Sequence, residues 1–160
     1  MKEKNNMNKN FKLKIAVYPS GKISIRPEII FEDKKLNKTF LDQFLYEFDN
    51  DFMAEEFNHI VNKEYDKMFF KDNGKNGIFT LSGDSVYLEV IDKQSTISDI
   101  YTDEDEPTPE DIPSITIPND ELIDLLKKYR TQAKEFRAKL PEMQKQEDER
   151  RLLDENTFGF

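Results

Sequence analysis

Ile78-Phe79-Thr80-Leu81-Ser82-Gly83-Asp84-Ser85-Val86-Tyr87-Leu88-Glu89-Val90-Ile91 is the stretch on which the fold turns. Ile78 to Leu81 and Ser85 to Ile91 read as strands, and Ser82-Gly83-Asp84 between them is a turn signal, so the segment is a β-hairpin. Downstream, Ser114 to Ile117 reads as a short strand. Pro118-Asn119-Asp120 then opens a helix, with Asn119 as its cap and Asp120 and Glu121 suited to its positive end. Leu122, Leu126, Tyr129, Ala133, Phe136 and Leu140 form the buried stripe of that helix. Pro141 is expected to interrupt it, leaving 142–155 as an exposed charged helix and 156–160 as a short tail.

Upstream of the hairpin, Phe11, Leu13, Ile15 and Val17 alternate with Lys12, Lys14 and Ala16, the pattern of a half-buried strand. Pro19-Ser20-Gly21-Lys22 is a turn signal, and a second alternating run from Ile23 to Phe31 closes another hairpin. Pro27 marks an edge position or a bulge in that run. From about 39 to 66 the spacing of Phe40, Leu41, Phe44, Leu45, Phe48, Phe52, Phe57, Ile60 and Val61 predicts a helix capped by Thr39 and broken near Asp49-Asn50-Asp51. Its other face carries Asp42, Glu47, Glu55, Glu56 and Glu64. Residues 73–77 form a loop, and 93–112 a long acidic one. Phe44, Phe48, Ile15, Val17, Leu122 and Leu126 are expected inside.

The order ββ-α-ββ-β-α-α predicts an α+β fold: an antiparallel sheet from two hairpins plus a short strand, with helices packed on one face. Residues 1–10 are polar and aperiodic and read as a disordered tail, 11–140 as a single α+β domain, and 141–160 as a charged C-terminal helix and tail.

Composition narrows the function. Of 160 residues, 36% are apolar and 36% charged, and thirteen Phe and six Tyr supply much of the core. The absence of Cys excludes disulfides, thiolate metal sites and cysteine nucleophiles. No apolar run of about 18 residues is present to span a membrane. MKEKNNMNKN lacks the apolar stretch of a secretory signal, so a cytoplasmic protein is expected. Richness in Lys, Asn, Ile and Phe points to an AT-rich bacterial or phage genome.

Charge is segregated along the chain. Residues 1–40 carry net +6 and 41–66 net −7. Residues 99–126 carry ten acidic residues and no Lys or Arg: Asp99, Asp103, Glu104, Asp105, Glu106, Glu110, Asp111, Asp120, Glu121 and Asp124. Prolines at 107, 109 and 113 keep the centre of this strip from being helical. Such a field attracts cationic partners and repels nucleic-acid phosphates. Ile97, Ile100, Tyr101 and Ile112 punctuate it. Apolar anchors in an anionic field are what docking of a cationic protein requires. The expected partner-binding residues are Asp99, Ile100, Tyr101, Asp103, Glu104, Asp105, Glu106, Glu110, Asp111 and Ile112.

No catalytic constellation is legible. His59, the single histidine, sits in a Glu-x-x-His spacing, but a di-iron site needs two such motifs and further Glu residues. His59 reads instead as an ordinary helix-surface residue. No nucleophile-elbow motif supports a Ser-His-Asp triad. Asp103-Glu104-Asp105-Glu106 lacks the calcium-loop pattern and its Gly. Asn73-Gly74-Lys75-Asn76-Gly77 lacks the phosphate-loop spacing. Lys9, Lys12, Lys14, Lys22 and Arg26 at the first hairpin read as a solvated face rather than a nucleic-acid site. The expectation is a non-enzyme with no metal and no cofactor.

Pro113 to Tyr129, a short strand, a capped start and an acidic amphipathic helix after the hairpin at 78–91, resembles the end of bacterial polymorphic-toxin immunity proteins of the contact-dependent inhibition type. The resemblance covers about residues 78–129. It implies a cytoplasmic, non-enzymatic inhibitor that plugs the basic site of a nuclease-like toxin. The residues independently reach an acidic protein-binding module. Two other readings share part of this pattern: a phage-encoded nucleic-acid mimic of the anti-CRISPR kind, and a structural or assembly protein using 142–160 to oligomerise.

Overall fold

Ile78 to Ser82 and Val86 to Ile91 pair antiparallel in the computed structural model, which describes residues 8–100 and 114–157. In chain order the elements are β1 (Phe11–Lys14), β2 (Glu28–Phe31), α1 (Leu41–Glu47), α2 (Asp51–Val61), β3 (Ile78–Ser82), β4 (Val86–Ile91), β5 (Gln94–Asp99), β6 (Ser114–Pro118) and α3 (Asn119–Thr157), with single 3-10 turns at Leu36–Lys38 and Tyr65–Lys67. β1 and β2 form a two-stranded sheet, and β3-β4-β5-β6 a four-stranded antiparallel meander. The fold is α+β.

The chain divides into two compact units, one of residues 1–10 and 31–130, the other of 11–30 and 131–160. In the first, the register places Leu81, Leu88, Ile97 and Ile115 in one row across the four strands, all buried. Val86, Val90 and Ile117 are buried too, while Thr96 and Thr116 meet at 2.9 Å on the other face. That alternation is the signature of an antiparallel sheet covered on one side. α1 lies against β4 and α2 against β3. Phe44, at the centre of this core, stacks tilted on Phe48 at 4.3 Å and edge-on to Phe57 at 6.2 Å.

β5 occupies residues placed by the sequence in the acidic loop. Its only large apolar residue is Ile97, and its turn, Asp92-Lys93, lacks the Asn-Gly or Asp-Gly signal. Asp92 takes the positive φ there, 54°. Buried Ser95 donates its hydroxyl to Asn119 Oδ1 at 2.6 Å, and Asn119 Nδ2 donates to Asp92 O at 3.1 Å. Asn119 therefore fastens the start of α3 to that turn, where a cap on its own helix was expected.

The break between α1 and α2 falls at Asn50. Its Oδ1 accepts from Met53 N at 2.8 Å, starting α2, while its Nδ2 donates to Glu47 O at 2.9 Å, closing α1. Phe40 is the cap residue of α1; Thr39, one residue earlier, still accepts from Leu41 N through its hydroxyl at 3.2 Å. The break resets the helical phase, so Phe52 falls off the buried stripe and is 45% exposed.

In the second unit, the hairpin turn Tyr18–Gly21 closes with Gly21 at φ 88° and its N–H on Tyr18 O. Ala16 O accepts from Ser24 N, and just outside this unit Asn10 O accepts from Glu32 N. Between these bonds the first strand advances six residues and the second eight, so two extra residues are accommodated around Ile25-Arg26-Pro27. This bulge turns Ile25 out, to 74% exposure, while Ile23 stays buried. Ile15 and Val17, expected inside, are exposed; α3 meets the hairpin at its turn and at Ile23 instead, through Arg151 on Pro19 O and Gln144 on Ile23 N. Gln144 accepts from Ile23 N at 2.8 Å and donates to Gly21 O at 3.0 Å.

α3 continues through Pro141 to Thr157, which corrects the expected interruption. Proline removes one intrahelical hydrogen bond, a cost of about 3 kcal/mol. Straight-chain helix formers follow it, Arg150 bridges Glu147 at 2.6 Å and Asp154 at 2.8 Å, and Gln144 anchors to the hairpin. Among the described residues no helix is long and apolar enough to cross a membrane.

Candidate functional site

The acidic strip leaves the sheet at a corner that a carboxylate builds. Asp99 ends β5 opposite Val86, and Ile100 N donates to Ser85 O at 2.9 Å. Ser85 is held in turn by Glu47. The Glu47 carboxylate accepts from Ser85 N at 2.8 Å, from the Ser85 hydroxyl, from Val86 N at 3.4 Å and from Gln43 Nε2 at 2.6 Å. Desolvation raises the Glu47 pKa, but the hydrogen bonds from Ser85, Gln43 and Val86 outweigh it and hold the group below the ordinary carboxylate value. A carboxyl with a depressed folded-state pKa contributes stability above its unfolded pKa and loses it as pH falls through the folded one. Acid titration of wild type should therefore show a stability loss below about pH 4.5 that Glu47→Gln lacks. Parallel pH profiles for the two proteins would sink this role for Glu47.

Ile100 is 42% exposed. Tyr101, Asp103, Glu104, Asp105, Glu106, Glu110, Asp111 and Ile112 lie outside the described residues. The remaining acids of the strip, Asp120, Glu121 and Asp124, are exposed on the first turns of α3, where Lys9 pairs with Glu121 at 3.2 Å. β6 runs from Ser114, opposite Ser98, to Pro118, opposite Gln94. Asp99 and Asp120 thus lie beyond opposite ends of that strand, whose five residues span about 14 Å. Of the described acids of the run, Asp99 is thus set apart from Asp120, Glu121 and Asp124.

The acidic face of the first helices divides as well. Glu47 is committed to the Ser85 corner. Glu56, 3% exposed, accepts from Phe69 N at 2.6 Å and Phe70 N at 3.3 Å. Glu55 alone of the three is open, its side chain 70% exposed, with His59 Nε2 3.5 Å away. The His59 side chain is 13% exposed and its Nδ1 lies 3.4 Å from Glu64 Oε1. Among the described residues no three of His, Cys, Asp and Glu converge to hold a metal ion.

Glu56 also creates a surface that the sequence reading missed. Met68 is buried, so the next two side chains emerge: Phe69 is 69% exposed and Phe70 45%. With Phe52 they form a triangle of edge-on rings, with centroids 5.2 to 5.8 Å apart. Beside it runs an open groove of about 570 Å³, lined by Met53, Phe70, Asn73, Lys75, Ile78 and Thr80 among others. Asn73 exchanges two hydrogen bonds with the Thr80 backbone, at 2.7 and 2.9 Å, and so closes the edge of β3 to an added strand. The sequence signal for this patch was Phe69-Phe70, a pair of large aromatics outside any periodic stripe.

A second groove, of about 430 Å³, lies between α2 and the start of α3. Arg130 there bridges Asp49 at 3.1 Å and Asp51 at 2.6 Å.

No protein-family model, no curated protein and no solved structure matches this chain.

Proposed function

We propose that the chain is an acidic protein-binding inhibitor, an immunity protein that occludes the basic active site of a cognate nuclease-like toxin in the cytoplasm. The observation that carries this reading is the charge distribution. Residues 99–126 hold ten acids and no base, and the unit of residues 1–10 and 31–130 carries fourteen basic and twenty-five acidic residues, net −11. Carboxylates presented in this density mimic the phosphates for which a nuclease site is built. Opposite charge steers the encounter and makes it salt-dependent.

The reading is tested by expressing the product of the adjacent gene with and without this chain. Copurification and neutralisation of a toxic activity are expected; a neighbour that is neither bound nor silenced removes the reading. Reversal of Asp103, Glu104, Asp105 and Glu106 to Lys should leave the fold standing, at about 0.5 kcal/mol or less per surface substitution. It should slow association with that toxin by about tenfold or more and flatten the salt dependence of the rate. Unchanged association kinetics would mean that the strip is only a solvated linker.

A further inference from the structure

Resting on that reading, we infer that the exposed triangle of Phe52, Phe69 and Phe70 is the apolar half of the docking surface, and that it takes arginine-bearing segments of the cationic partner. The patch is built, not incidental. A buried carboxylate, Glu56, is committed to the two backbone amides that aim Phe69 and Phe70 outward, and buried Met68 pins the residue before them. Burying a carboxylate is costly unless it is fully hydrogen-bonded, and here its partners are the amides of two surface aromatics.

Three occupants compete, and the physical chemistry selects one. A second copy of this chain is disfavoured twice. The three rings offer about 300 Å² of open aromatic surface, well short of the roughly 800 Å² per partner of a stable dimer. Each copy also carries net −9 and repels the other. An added β-strand from a partner is blocked where Asn73 satisfies Thr80. A cationic side chain has neither obstacle. Ring faces carry negative potential and attract guanidinium groups. Glu55, 60° round α2 from Phe52 at 100° per residue, is an open carboxylate on the side of that helix that faces the second groove. The nearby lysines are drawn to acceptors of their own chain: Lys67 to Glu64 at 2.8 Å, Lys75 to Asp72 at 3.7 Å and Lys71 to the Asp66 carbonyl. Guanidinium stacks on aromatic faces better than ammonium, so Arg is preferred to Lys.

The test is a titration of the full chain, isotope-labelled at Phe and at backbone amides, with deca-arginine and with deca-lysine. The ring resonances of Phe52, Phe69 and Phe70 are expected to shift saturably with deca-arginine, and several-fold less strongly with deca-lysine. Phe69→Ala with Phe70→Ala keeps the amides that Glu56 accepts, and should weaken deca-arginine binding about tenfold. Glu55→Lys, with the rings untouched, should weaken it too. If amides of 103–106 respond while the rings stay still, the inference is overturned and the inhibitor reading stands. If the rings respond and 103–106 do not, the inference stands and the strip loses its role. If neither responds, both fall. A dimer in sedimentation that the double Phe variant abolishes would assign the patch to a second copy and overturn the inference.

Discussion

Phe44→Ala should lower the unfolding free energy by about 3–5 kcal/mol, the range for removing a fully buried ring. The Phe44 ring has no exposed surface and meets two other aromatics, Phe48 at 4.3 Å and Phe57 at 6.2 Å. Its removal takes away the transfer free energy of a whole ring and leaves a cavity that α1, α2 and β4 cannot close without moving their backbones. Each lost ring pair adds about 0.5–1.5 kcal/mol. Against a total stability of about 5–15 kcal/mol, the variant approaches the threshold of folding. Urea unfolding should show a lower midpoint with an unchanged slope. A loss below about 1 kcal/mol would mean that the core is not organised around this ring.

Glu56→Ala should cost about 2–4 kcal/mol, since two backbone amides lose a charged acceptor together. The consequence is local first. Amide exchange at Phe69 and Phe70 should lose its protection before the four-stranded sheet does, because nothing else accepts from those amides in this geometry. Glu56→Gln keeps one acceptor but turns a donor toward the second amide, so it should recover only part of the loss. A stability change under about 0.5 kcal/mol with unaltered exchange at 69 and 70 would show that the carboxylate does not hold this segment.

Much of the architecture follows from local pattern. The hairpin at 78–91, the helix break at Asn50 and the buried stripe of Leu122, Leu126, Tyr129, Ala133 and Phe136 all rest on periodicity or on capping chemistry, which act over a few residues. β5 was not legible because it carries a single strong apolar residue and an Asp-Lys turn; pairing to β4 and β6 on both sides makes it a strand. The excess of acid around 99–124 was plain in the sequence, but the separation of Asp99 from Asp120 by the length of β6 depends on strand direction.

The sequence by itself determined most of the elements and most of their apolar faces, since both are written in residue spacing; β5, the run of α3 through Pro141 and the outward Ile15, Val17 and Phe52 were not among them. Only the tertiary structure decided where the exceptions go. Glu47 and Glu56 have the local pattern of solvent-facing acids, yet they are recruited by backbone amides that folding leaves without partners, at Ser85, 38 residues away, and at Phe69, 13 residues away. Phe52 and Phe69 have the composition of core and emerge at the surface, because a helix break shifts one and a buried Met68 turns out the other. Unsatisfied backbone groups and phase shifts between elements arise only once the chain is assembled, so no window of local pattern contains them.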